Sequence, residues 1–209
     1  ALKRTDAAPT EMLGESASFR TLVSQLEKVT KSNGRVMLTG EGGSGKETAA
    51  RYIHINSDRA DMPFVSVNCA SIEPERMEEV LFGRETEGRG VERGLFEEAN
   101  GGVIYFDGVA DMPLATQSKL LRVLVDQKFQ RVGGVDKVQV DVRVISSTNR
   151  DLTAAIAAET FRQELYHRLN VVPIHVPSLE ERREDIPLLA AHFIEELHTS
   201  QGLIARPLS

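Results

Sequence analysis

Gly40-Glu41-Gly42-Gly43-Ser44-Gly45-Lys46 has the spacing G-x-x-x-x-G-K, and the chemistry of that spacing is phosphate binding. Its glycines let backbone N–H groups turn inward around phosphate oxygens. A helix starting at the end of the loop adds the partial positive charge of its N-terminus, and Lys46 offers an ammonium to terminal phosphates. Further along, Val103-Ile104-Tyr105-Phe106-Asp107-Gly108 has the form of the acidic strand that completes such a site. Asp107 is the candidate metal residue, orienting Mg²⁺ through water. Gly108 stands where the hydrolysing machinery needs a carboxylate. The first segment therefore predicts a bound nucleotide, and the second predicts impaired chemistry on it. Position 47 is Glu where Ser or Thr usually supplies a hydroxyl to Mg²⁺, and Thr48 comes one residue too late to replace it without a shift.

The segments around these residues are the ones that must position them. The apolar run Arg35 to Thr39 predicts a strand leading into the glycine loop, with a helix behind it to about Ser57. Upstream, Ser18 is placed to cap a helix over 19–31 whose stripe is Leu22, Leu26 and Val29. Phe64 to Val67, Val103 to Phe106, Val142 to Ser147 and Val171 to Val176 are the further core strands. Between them the pattern predicts a helix from Ser71 broken at Gly83, and a helix opened by Pro113 with Leu120, Leu121 and Leu124 to bury. A hairpin is expected across Val132-Gly133-Gly134, and a helix capped by Asp151. Residues 84–94 are charged and glycine-rich and read as an exposed loop. Strands alternating with helices imply an α/β fold with a parallel sheet and right-handed crossovers. Beyond Pro177 the pattern changes to a helix from Pro187 to about Thr199, the expected start of a second, helical unit. The expected organisation is thus a linker over 1–12, an α/β nucleotide-binding domain over 13–176, and a hinge with the first part of a helical lid over 177–209.

Composition excludes some function classes. The chain has 209 residues, 41% hydrophobic and 27% charged, which is ordinary for a globular protein. No run approaches the roughly 18 consecutive apolar residues of a membrane span, and no signal peptide is visible, so a cytoplasmic location is expected. The net charge of −6 argues against the whole surface being a polyanion-binding field. The single cysteine, Cys69, excludes an internal disulfide and reads as a small buried apolar residue. The five histidines lack ligand spacing.

Taken in order along the chain, the motifs resemble the central AAA+ domain of sigma-54-dependent transcriptional activators, the bacterial enhancer-binding proteins. The resemblance covers almost all of residues 13–209. It is carried by Gly14-Glu15-Ser16, Gly45-Lys46-Glu47, Val67-Asn68-Cys69-Ala70, Leu81-Phe82-Gly83 and Phe96-Glu97-Glu98-Ala99. Lys119 to Leu124, Arg131 to Gly134, Thr148 to Leu152, Phe161-Arg162, Tyr166 to Pro173 and Glu181 to Ile186 continue it. It implies an AAA+ P-loop NTPase fold, a parallel sheet between helices followed by a helical lid truncated here, with ATP or ADP and Mg²⁺ as cofactors. It implies that Gly14 and Glu15 lie near the adenine, that Asn149 senses the γ-phosphate, and that Asn68 is a switch residue. Arg162 and Arg168 are implied as arginine fingers reaching a neighbouring subunit's nucleotide in a homo-oligomer. On a regular helix, however, six residues would set those two arginines about 240° apart.

Two departures from the family pattern concern the same task. The family's acidic strand ends Asp-Glu, whereas here it ends Asp107-Gly108, and loss of a general base costs ~10²–10⁴-fold in rate. Asp111 lies three residues on and needs unusual geometry to substitute. The family's sigma-contacting loop carries an aromatic Gly-Ala-Phe-Thr-Gly-Ala tip, where this chain has Arg84-Glu85-Thr86-Glu87-Gly88-Arg89-Gly90. That change argues against contact with sigma-54 RNA polymerase. The combination is most similar to the NtrX-type response regulators of two-component nitrogen signalling. Such a likeness implies a phosphoacceptor domain upstream and DNA binding through a domain absent from this chain. The leading expectation is a nucleotide-controlled regulatory module with impaired hydrolysis. A working ATPase that remodels the polymerase complex and a scaffold with a relic loop are the alternatives.

Overall fold

A computed structural model describes residues 12–88 and 90–201, with side chains through 196. The linker expected at 1–12 lies, but for Met12, outside the described residues, as do Arg89 and residues 202–209, the end of the expected helical lid.

Helix α1 spans Ala17–Thr30 and is capped by Ser16 rather than Ser18. Ser16 is extended, so its Oγ can accept from Phe19 N at 3.2 Å, while Ser18 Oγ is drawn off to the carbonyl of Glu181. Strand β1 (Val36–Thr39) runs into the glycine loop, and helix α2 (Lys46–Ile55) starts at the loop lysine. After strand β2 (Phe64–Asn68) the structure departs from the single helix expected from Ser71. Two 3₁₀ turns, Cys69–Ser71 and Pro74–Arg76, precede a short α3 (Met77–Phe82). Pro74 has no N–H to give to a helix begun upstream, and Asn68 turns the chain first. The segment read as an exposed loop is an antiparallel hairpin, β3 (Arg84–Thr86) against β4 (Gly90–Glu92).

Then come α4 (Leu95–Glu98), β5 (Val103–Asp107), α5 (Leu114–Asp126) and the hairpin β6 (Lys128–Gln130) with β7 (Lys137–Gln139). The chain continues through β8 (Arg143–Thr148), α6 (Leu152–Ala157), α7 (Gln163–Leu169), β9 (Val172–His175) and α8 (Ile186–Gln201). The two hairpins meet where Val132 donates to the carbonyl of Gly83 and accepts from Glu85, both at 2.9 Å.

Five strands form one parallel sheet in the order β2-β5-β8-β1-β9. Their residues alternate between two cores, as the period of a strand requires. Val36, Leu38, Val103, Tyr105 and Ile145 pack with α1 and α2, through Leu22, Leu26, Ala49 and Ile53. Met37, Ile104, Phe106 and Val144 pack on the other face with Leu120, Val123 and Leu124 of α5 and Leu165 and Leu169 of α7. The result is a sheet between helices, the α/β architecture expected from the sequence. Because the strands are parallel, their carboxyl ends share one edge. Register aligns Thr39 with Thr148 and His175, and Asn68 with Asp107. A ligand crevice belongs at that edge.

Candidate nucleotide site

The glycine loop leaves β1 and closes into α2, so Gly40 through Gly45 wrap the helix N-terminus. Gly40 passes so close to β9 that a Cβ there would lie 2.4 Å from the carbonyl oxygen of Val176. No side chain fits at that contact, which is the physical reason for its first glycine. Glu41, Gly42 and Gly43 are exposed at the rim, and Lys46 is buried. Its Nζ donates to the carbonyls of Gly40 at 3.0 Å and Glu41 at 2.6 Å. Burial lowers the Lys46 pKa, and the charge of Asp107 partly offsets that shift. Ser44 Oγ is one of two buried side-chain polar atoms without a partner among the described residues. An orphaned hydroxyl in a glycine loop that leads into a helix N-terminus fits a phosphate oxygen, so the loop suits a nucleotide's phosphates.

Glu47 points its carboxylate at Arg51, 2.7 Å away along α2, and is exposed. Thr48 is half-buried on the next turn position. Asp107, at the end of β5, accepts from Ser147 Oγ at 2.7 Å, and Tyr105 OH, 3.0 Å from Ser147 Oγ, lies 3.2 Å from the same carboxylate oxygen. A half-buried carboxylate at the end of β5, close enough for its charge to act on Lys46, is chemically suited to a Mg²⁺ ion held through water. Gly108 follows in the left-handed region, φ 71° and ψ 50°. The 3₁₀ turn Val109–Asp111 then folds back, and Asp111 pairs with Arg150 at 2.7 Å.

An open cleft of about 510 Å³ borders the loop and is lined by Gly40, Glu41, Asn149, Arg150, His175 and Glu181 among others. Asn149 thus lines the cleft that borders the glycine loop. Asn68 is exposed and its Oδ1 accepts from Ala70 N and Ser71 N at 3.1 and 3.2 Å, so in this structure it caps its own turn. Arg162 and Arg168 do not share a regular helix. Arg162 is the extended residue before α7, and Arg168 is in its last turn, so the 240° separation expected from helical geometry does not apply. Both are exposed.

Gly14 and Glu15 lie against the 3₁₀ turn Glu180–Asp185. Asp185 is buried and accepts from Glu15 N at 2.7 Å, Ser16 N at 2.9 Å, Ser16 Oγ at 2.7 Å and Arg182 Nε at 3.0 Å. Arg182 also donates to the carbonyl of Leu13 and stacks its guanidinium 4.4 Å from the Phe19 ring. A Cβ at Gly14 would collide with that Arg182 and with Phe19, so its glycine serves this packing. Cys69 is buried, and burial together with Asp111 and Asp107 pushes its thiol up to about 12. It is a core residue and not a nucleophile.

Sequence reasoning missed several members of the site. Ser147 and Tyr105 read as ordinary strand residues, because a hydroxyl in an apolar strand carries no motif. His175 lies across a pair with Glu181, at 3.1 Å, on the wall of the cleft. Hydrogen bonds, first from Ser178 N and then from His175, hold the Glu181 carboxyl below the usual range. The run Glu180 to Asp185 signalled only a charged hinge.

The sigma-54 interaction domain family matches residues 12–175. The nitrogen assimilation regulatory protein NtrX of Azorhizobium caulinodans is 52% identical over 95% of this chain and 44% of its own length. A crystal structure of NtrX from Brucella abortus in complex with ATP superposes with a TM-score of 0.90 at 51% identity, covering 96% of this chain and 46% of that one. The same protein in complex with ADP gives a TM-score of 0.91 at 51% identity, over 95% of this chain and 45% of that one. This chain spans about half the length of each of these relatives.

Proposed function

The chain belongs to the sigma-54 interaction domain family, and from that premise we propose that it is a nucleotide-controlled regulatory module with impaired hydrolysis. It binds ATP or ADP, and the bound nucleotide sets self-association. Through a DNA-binding domain outside this chain, that state sets DNA occupancy. Residues 13–176 are the nucleotide-binding domain, and 177–209 are the hinge and first part of a lid.

The observation that carries the reading is the end of β5, where Asp107 is ordered by hydroxyl contacts and the next residue is a left-handed glycine. Lys46 and the loop amides hold the phosphates, and Ser44 Oγ gains the partner it lacks. Mg²⁺ neutralises phosphate charge when bound, and Asp107 orients it. Asn149, on the cleft wall, reaches toward the terminal phosphate. Arg162 and Arg168 act on a neighbouring copy's nucleotide. At residue 108 no side chain can orient the attacking water. The NtrX structures with ATP and with ADP support binding of either nucleotide. The hairpin β3–β4 presents Arg84 and Glu92 with one exposed apolar residue, Val91, and no aromatic side chain. Such a tip weighs against a strong contact with sigma-54 polymerase.

A second reading, a working ATPase that remodels that polymerase, is favoured by one distance. Asp111 Oδ2 lies 3.2 Å from the position a Cβ on Gly108 would take, so a carboxylate does stand beside the gap. Equilibrium binding and turnover on an oligomeric sample separate the two. Binding of ATP and ADP that is lost in Lys46→Ala, with turnover near background, is the expected result. A normal ATPase rate abolished by Lys46→Ala sinks the regulatory reading and supports the motor.

A further inference from the structure

Strands β5 and β8 are neighbours in the sheet, and each contributes one buried hydroxyl beside Asp107. Ser147 Oγ donates its single proton to Asp107 Oδ1 at 2.7 Å. Its lone pairs accept from Tyr105 OH at 3.0 Å and from Gly108 N at 3.3 Å. The serine hydroxyl is thereby saturated, with one donor and two acceptor contacts. Tyr105 OH also lies 3.2 Å from the same carboxylate oxygen. Both side chains are fully buried, so water does not compete for these bonds. A hydroxyl bonded to an ionised carboxylate at this length is of the strong, charge-assisted kind.

These contacts have a specific consequence. All of the hydroxyl contacts fall on Oδ1, which fixes the rotation of the carboxylate about its own bond. The Gly108 amide, next to the most permissive backbone position of the strand end, is tied to the same oxygen atom of Ser147. We propose that Ser147, backed by Tyr105, is the positioning residue that locks Asp107 for the divalent cation accompanying a bound nucleoside di- or triphosphate. The proposal rests on the nucleotide-binding reading above. It explains how a strand end that has lost its second carboxylate still presents the first in one orientation.

ATP affinity of the chain is measured in magnesium and again in excess EDTA, for wild type, Asp107→Asn, Ser147→Ala and Tyr105→Phe. The readout is the gain in affinity that magnesium confers. Ser147→Ala is expected to lower that gain roughly tenfold, as partners behind a metal residue do, with the EDTA affinity unchanged. Tyr105→Phe is expected to lower it less, and Asp107→Asn to abolish it. A wild-type gain retained in Ser147→Ala overturns the proposal, as does an equal fall in both buffers, which marks a merely structural role. Should Ser147→Ala melt below the measuring temperature, Ser147→Cys and Tyr105→Phe decide the matter, and an unchanged gain in both overturns it. A wild-type chain that binds ATP equally with and without magnesium overturns the clamp and leaves nucleotide binding standing. A wild-type chain that binds no ATP in either buffer overturns the functional reading itself.

Discussion

Asp111 and Arg150 form an ion pair of 2.7 Å that joins the turn after β5 to the loop after β8. Its arginine is on the cleft wall and its carboxylate is beside Gly108. The pair thus joins the strand end at Gly108 to the wall of the cleft that borders the glycine loop. It also occupies the space into which a longer residue 108 would grow.

Replacing the missing carboxylate therefore has an opposing cost. Gly108→Glu puts a side chain on a left-handed residue, which costs about 1–2 kcal/mol, and brings like charge toward Asp111. The expected outcome is a melting temperature lower by roughly 2–8 °C together with ATP turnover raised by at least about tenfold. Calorimetry and phosphate release measure the two. Turnover that stays at the wild-type level shows that the turn, and not only the side chain, has left the hydrolytic geometry.

Lys46 bonds to two carbonyls of its own loop, so its removal acts on binding more than on folding. Lys46→Ala is expected to weaken ATP by roughly 10- to 100-fold, the value of a hydrogen bond to a charged group, and to leave the melting temperature nearly unchanged. Titration with labelled ATP and ADP checks it. Unaltered affinity shows that the loop does not hold the phosphates.

How much of this was legible in the sequence depends on whether the signal was local. The loop at 40–46 and the strand Val103–Asp107 could be read because spacing and apolar runs are properties of a short window. The left-handed state of Gly108 agrees with its residue type, but the fold-back of Asp111 is set by the 3₁₀ turn and was not readable. Ser147 reaches Asp107 only because β8 pairs with β5 in a particular register, a fact of topology. The hairpin at 84–92 was hidden because strands of three residues are too short to show a periodicity. Ser18 is the cap the sequence pattern suggests, and the extended backbone at 16 gives that place to Ser16 instead. The Asp185 tie links residues 169–170 positions apart in sequence, beyond any local pattern.

That tie predicts a pH dependence. Burial alone pushes the Asp185 carboxyl up, but hydrogen bonds from Glu15 N, Ser16 Oγ and Ser16 N, with the Arg182 charge, outweigh it and hold the carboxyl at about 2. A depressed carboxyl contributes stability that is fully present above its ordinary value of 3.8 and is lost as pH falls through about 2. The contribution is on the order of 2 kcal/mol. Asp185→Asn is expected to lower stability at pH 7 by at least that order, and to flatten the fall in stability between about pH 5 and pH 2. Denaturant melts across that range test it, and a variant with the wild-type acid slope removes Asp185 as the cause.

The two arginines offer a test of assembly. Arg162 N donates to Gln117 Oε1 at 2.9 Å, yet its side chain is exposed ahead of α7, and Arg168 is exposed at the far end of the same helix. The bend at residue 162 frees each from the other's direction, so both can face a neighbouring copy from one surface. If they act across an interface, their loss cannot change binding to an isolated chain. Arg162→Ala and Arg168→Ala are expected to leave ATP affinity at high dilution within about twofold of wild type, because an exposed arginine makes little difference locally. At concentrations where the wild type self-associates, each variant is expected to lose the nucleotide-dependent part of that association. Sedimentation velocity with and without ATP reads the difference. An affinity loss already present in the dilute monomer places the arginine in its own chain's site, and unchanged association in both variants removes them from the interface.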